Sequence, residues 1–111
     1  MRLKNGVSSA GVKTEILLII PMVEQVFNEY GKELIITSIT DGKHSKNSLH
    51  YEGLAFDCRI RHLIPNFKSF QNQTLKAIVA EIAQKIREKV GDQYDVVQER
   101  THIHIEFDPR E

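Results

Sequence analysis

The chain has 111 residues, which gives one domain and leaves too few residues for a second. Apolar residues make up 41% and charged residues 27%, enough for one core under an ordinary soluble surface. Fifteen Lys and Arg balance fifteen Asp and Glu, which argues against a basic nucleic-acid binder, and one cysteine excludes an intrachain disulfide.

Residues 1–11 are polar and rich in Gly and Ser, and read as a flexible N-terminal arm before a single domain over 12–111. From Thr14 to Tyr30, Ile16, Ile19, Ile20, Val23, Val26 and Phe27 recur at helical spacing, with Gly31 as the stop. Pro21 sits inside that pattern, where it either kinks the helix or starts its second part. The apolar run Ile16–Ile20, extended through Pro21 to Val23, is far short of the roughly 20 residues that span a bilayer. Leu34 to Ile39 reads as a buried strand, and Asp41 to Tyr51 as a loop. Leu54 to Ile60 alternates, with Leu54, Phe56, Cys58 and Ile60 on one face and Ala55, Asp57 and Arg59 on the other. Thr74 to Val90 carries a continuous apolar stripe closed by Gly91. Tyr94 to Gln98 and Thr101 to Phe107 complete the strands. The order predicts an α+β fold, with helices packed on a small, mostly antiparallel sheet.

Four of the five histidines fall in two segments, around His44 and His50 and at His102 and His104. In the last strand Ile103, Ile105 and Phe107 share one face, and His102, His104 and Glu106 the other. Two imidazoles and a carboxylate are costly to bury without partners, and a zinc ion accounts for them. His50 and Asp57 supply two further ligands, with Gly53 permitting the turn that lets them converge. His102 and His104 lie about 7 Å apart along the strand, so one of them is the third ligand. Cys58 is on the apolar face and reads as core. His62 is isolated and reads as a surface residue.

The spacing Ser48-x-His50-x-x-Gly53-x-Ala55-x-Asp57, followed by His102-x-His104, resembles the zinc peptidases of the D-Ala-D-Ala carboxypeptidase and hedgehog amino-terminal domain superfamily. Asp41-Gly42 and His44-Ser45 resemble the hedgehog zinc segments as well, and the short chain is most similar to small bacterial or phage members. The resemblance implies a Zn²⁺ cofactor held by His50, Asp57 and, as in members with a His-x-His pair, His104. It implies Glu99 as the general base that takes a proton from zinc-activated water, with His44 and His102 beside the metal. Ser48 is implied to steady the loop or the substrate. Zn²⁺ with one aspartate and two neutral histidines leaves a local charge of about +1, which suits a carboxylate that Arg59 and Lys43 can hold. The expected activity is cleavage of peptidoglycan stem or cross-link peptides, by a D,D- or L,D-peptidase of endolysin type. The expected partner is a peptide or peptidoglycan substrate, with no nucleic acid, no membrane and no obligate protein partner. The alternative is a non-catalytic, zinc-stabilised, hedgehog-like binding module. No signal-peptide pattern is read, so the expected location is cytoplasmic until release, or phage-associated.

Overall fold

A computed structural model describes residues 1–42 and 48–109. The elements run β1 (Arg2–Leu3), α1 (Thr14–Glu29), β2 (Ile35–Ser38), β3 (Ala55–Arg59), a 3-10 turn (Arg61–Leu63), α2 (Gln73–Val90), β4 (Tyr94–Gln98) and β5 (His102–Phe107). They form a two-layer α+β structure, with both helices against one face of a mixed five-stranded sheet of order β1-β2-β3-β5-β4. The β2–β3, β3–β5 and β4–β5 pairs are antiparallel, and β1 pairs parallel to β2.

Periodicity explains most of this. The buried side chains of α1 are the Ile16–Phe27 stripe, and those of α2 are Leu75, Val79, Ile82, Ala83 and Ile86. Both stripes close over Phe56, Cys58, Ile103 and Ile105, all fully buried. Each large side chain so buried contributes about 1.5–3 kcal/mol. α1 runs unbroken through Pro21, which lies on its exposed side with Leu17. The carbonyl that proline leaves without a partner, that of Leu17, therefore belongs to the solvent side of the helix. At α2 the Asn72 side chain accepts from Leu75 N at 3.2 Å, satisfying a free first-turn donor.

The arm predicted over residues 1–11 contributes structure. Arg2 and Leu3 form β1, Lys4 N continues the pairing to Ile36 O at 2.9 Å, and Ser8 N donates to Asp41 Oδ1 at 2.9 Å. Two exposed residues carry no apolar alternation, so this strand left no trace in the hydrophobic pattern.

The apolar side chains of β3 and β5 face the helices. Their alternates, Asp57, Arg59, His102, His104 and Glu106, share the opposite face. That face carries the site. No helix among the described residues is long and apolar enough to cross a membrane.

Candidate metal centre

Three elements bring the site together. Register supplies the first two, because Asp57 on β3 is directly opposite His104 on β5 and Arg59 is opposite His102. Side chains directly opposite in an antiparallel pair share a face at close range. A register shift in β2, between Ile36 and Ser38, lies beside Asp57. Such bulges bend a strand and re-aim its neighbours.

The loop after Ser48 supplies His50. Ser48 Oγ accepts from His50 N at 3.2 Å, and the chain winds through Tyr51 N→Ser48 O, Gly53 N→His50 O and Leu54 N→Leu49 O. Gly53 closes the winding at φ 74°, and a Cβ there would overlap the carbonyl oxygen of Gly11. Glycine is therefore required twice, for its conformation and for the close approach of the Gly11–Lys13 backbone, whose Lys13 N donates to Gly53 O at 2.9 Å.

His50 and Asp57 are buried and His104 is half-buried. One donor atom of each lies within 4.8 Å of the others. His50 Nε2 is 3.2 Å from Asp57 Oδ1, and His104 Nδ1 is 2.9 Å from the same oxygen. Around a tetrahedral zinc with N and O ligands at roughly 2.0–2.1 Å, neighbouring donors stand roughly 3.3 Å apart. The spacing fits.

Proton placement gives a sharper test. His50 Nδ1 is 2.6 Å from Ile39 O, and a carbonyl only accepts, so Nδ1 carries the proton. Neutral His50 then aims the Nε2 lone pair at Asp57 Oδ1, acceptor against acceptor. His104 repeats the arrangement, with Nε2 2.7 Å from Glu106 Oε1 and Nδ1 facing Asp57. With the His104 proton on Nε2, donated to Glu106, two imidazole lone pairs and a carboxylate oxygen converge on one point. That convergence requires positive charge, either imidazolium protons or a metal ion. Each ring also has its far nitrogen held by an oxygen, the outer arrangement that orients metal-ligating histidines.

The electrostatics agree. Burial opposes ionisation of Asp57, but hydrogen bonds from His104 and His50 and the charges of His50 and His102 hold its carboxyl well below the usual range. Burial opposes protonation of His104, but hydrogen bonds to Asp57 and Glu106 push it above its ordinary value. Both directions describe a site that retains a negative oxygen and calls for a cation.

The remaining sequence-predicted residues are placed as follows. His102 Nε2 is 3.7 Å from Asp57 Oδ1, beside the cluster, and its Nδ1 is 3.0 Å from Thr101 Oγ1. Glu99 N donates to His102 O at 2.9 Å just past the end of β4, and Glu99 lines a pocket with Leu75, Lys76 and Val79 of α2, not the cleft that His102 lines. Glu99 is exposed, and its carboxylate makes no hydrogen bond or ion pair with a described residue. Ser48 acts here through the loop, by fixing His50. Arg59 lines a cleft together with His102. His44 and Lys43 lie outside the described residues. Cys58 is fully buried, and burial followed by the Asp57 charge pushes its thiol up, so it is core and no ligand.

Two features went beyond the sequence reading. Glu106 shares the histidine face by alternation, but its direct bond to His104 needed the structure. His62 is half-buried rather than a surface residue; it stacks on Phe27 and its Nε2 donates to Glu33 O at 2.7 Å. No protein-family model, curated protein or solved structure matches this chain.

Proposed function

We infer that the chain is a zinc-dependent metallopeptidase acting on peptides, with peptidoglycan stem or cross-link peptides as the substrate class. The observation that carries this reading is the convergence of the His50 and His104 lone pairs on Asp57 Oδ1, each ring held from behind by Ile39 O or Glu106. The resemblance of the Ser48–Asp57 and His102–His104 segments to the carboxypeptidase and hedgehog superfamily supports zinc and peptide hydrolysis.

His50, Asp57 and His104 would hold the metal, and a zinc ion bound there would supply a Lewis acid and acidify water to a pKa of roughly 7. The protein's own groups do the rest. Glu99 accepts a proton at its exposed carboxylate and passes it to the leaving amine. His102, beside Asp57, hydrogen-bonds the substrate or its developing oxyanion through Nε2. Glu106 keeps the His104 ring oriented by accepting a hydrogen bond from its Nε2–H.

The test is incubation of the zinc-loaded protein with purified cell-wall fragments, followed by mass analysis of the products. Wild type is expected to release peptide fragments, and Glu99→Gln to bind zinc and release none. Zinc binding with no hydrolysis by wild type of cell-wall fragments or a peptide library would instead favour the non-catalytic, zinc-stabilised binding module.

A further inference from the structure

Beside the metal centre, on the same sheet face, lies a cleft of about 230 Å³ whose lining includes Lys4, Thr37, Arg59, Arg61, Thr101 and His102. We propose that this cleft is an anion-binding subsite seating a carboxylate or phosphate group of the molecule acted on at the metal centre. The proposal rests on the metallopeptidase reading for what happens next to the cleft, but not for the cleft's own chemistry.

Charge is the first argument. Among the described residues three cations line the cleft and no carboxylate does. Among the described residues, neither Lys4, Arg59 nor Arg61 forms an ion pair, whereas nearby Arg2 is paired with Glu33 at 3.0 Å. The cations come from three parts of the chain, the end of β1, β3 and the 3-10 turn, so the fold collects like charges that repel one another. An oxyanion relieves that repulsion, and guanidinium forks match the geometry of carboxylate and phosphate.

Position is the second argument. His102 lines the cleft and also reaches to 3.7 Å from Asp57 Oδ1, so this one side chain links the cleft to the His50–Asp57–His104 cluster. Its volume lies below the range of whole-ligand pockets, which suits one terminal group rather than a complete substrate. A linear ligand anchored there passes His102 before it reaches the metal, which places the bond acted upon close to the ligand's anionic end. The N-terminal segment belongs to the site in this arrangement, because Lys4 is held in place by pairing with Ile36.

The experiment measures binding of three probes by calorimetry: acetyl-alanyl-alanine, its C-terminal amide, and inorganic phosphate. It is run on zinc-loaded and on metal-free protein, with wild type, Lys4→Gln, Arg59→Gln and Arg61→Gln, and zinc content is measured on every sample. At least one anion is expected to bind with or without zinc, and the amide roughly tenfold more weakly than the acid where carboxylate is the group seated. Each variant is expected to lose several-fold in affinity for the anion while its zinc content is unchanged. Preference for the acid peptide assigns a carboxylate, and preference for phosphate assigns a phosphate. No binding of either anion at millimolar concentration overturns the subsite, as does an anion affinity that no variant changes or that appears only with zinc. Absence of zinc from wild type overturns the metal-centre reading instead, and the metal-free data still decide the cleft. Arg59→Lys, which keeps the charge, checks that a loss in Arg59→Gln is not unfolding.

Discussion

Asp57 stands directly opposite His104 in the β3–β5 ladder, and its Oδ1 lies 2.9 Å from His104 Nδ1. Backbone pairing sets that contact, and the ladder is anchored from the other face by the buried Phe56, Cys58, Ile103 and Ile105. Two of the three donors are therefore preorganised by the core itself. Only His50 depends on a loop, and that loop is fixed by its own turn bonds and by Ile39 O.

The first prediction follows from this division. Metal-free protein titrated with zinc is expected to bind one equivalent per chain. His50→Ala, Asp57→Ala and His104→Ala should each lose most of that affinity, whereas His102→Ala should keep it, because its Nε2 is farther from the shared oxygen than the other two nitrogens. Zinc should also raise the melting temperature of wild type, since metal binding is linked to folding. If His102→Ala is the variant that loses zinc, the third ligand moves to His102.

Glu106 provides the second. A carboxylate that accepts from the far nitrogen of a metal-bound imidazole fixes the ring, and removing such partners typically costs roughly 10–100-fold in metal affinity. Glu106→Ala is expected to fall in that range, and Glu106→Gln, which still accepts through its amide oxygen, to fall less. Zinc titration monitored by competition with a chelator reads both. Equal, wild-type affinity in the two variants would reduce Glu106 to a rim residue of the sheet.

Much of this arrangement is legible in the residues. The apolar periods at Ile16–Phe27 and Leu75–Val90 mark both helices, and the alternation His102-Ile103-His104-Ile105-Glu106-Phe107 already assigns the polar face of β5. What alternation does not carry is which residue stands opposite which. The Asp57–His104 pairing is a matter of register, and the bulge in β2 beside it is a local irregularity with no apolar signature. The arm looked unstructured because backbone hydrogen bonds, rather than side-chain burial, hold β1 to β2. The cluster of Lys4, Arg59 and Arg61 was hidden for the same reason, since Lys4 reaches Arg59 only through that pairing. His62 escaped because its burial depends on Phe27, far away in sequence.

Gly53 gives a third prediction, on stability. Gly53→Ala must place a Cβ against Gly11 O while holding a left-handed backbone. Strain and overlap together are expected to cost about 2 kcal/mol or more, and to loosen His50 three residues upstream. Denaturant unfolding should show the loss, and zinc affinity should fall with it. A variant as stable as wild type would mean that the Gly11–Lys13 backbone can shift without consequence for the site.

The last prediction concerns pH and His62. Burial is the largest influence on this ring and lowers its pKa below the ordinary 6.5; Arg59 and Lys32 act in the same direction, while the Glu33 carbonyl and charge oppose them. Among the described residues its buried Nδ1 has no hydrogen-bond partner, so the neutral ring holds its proton on Nε2, toward Glu33 O, and a second proton on Nδ1 would be unsatisfied. The unfolded chain binds a proton at His62 more readily than the folded one. Folding stability from this group is therefore present above the ordinary value and declines as pH falls through it toward the lower folded value. The ring is only half-buried, so water screens the effect and it should amount to less than about 1 kcal/mol. His62→Gln keeps a neutral N–H toward Glu33 O at every pH. With chelator present to remove metal effects, wild type should lose more stability than His62→Gln between pH 7.5 and pH 5.5, read from denaturant midpoints. Parallel losses in the two proteins would show that His62 takes up its proton as easily folded as unfolded, and the acid sensitivity would then belong to the histidines of the metal centre.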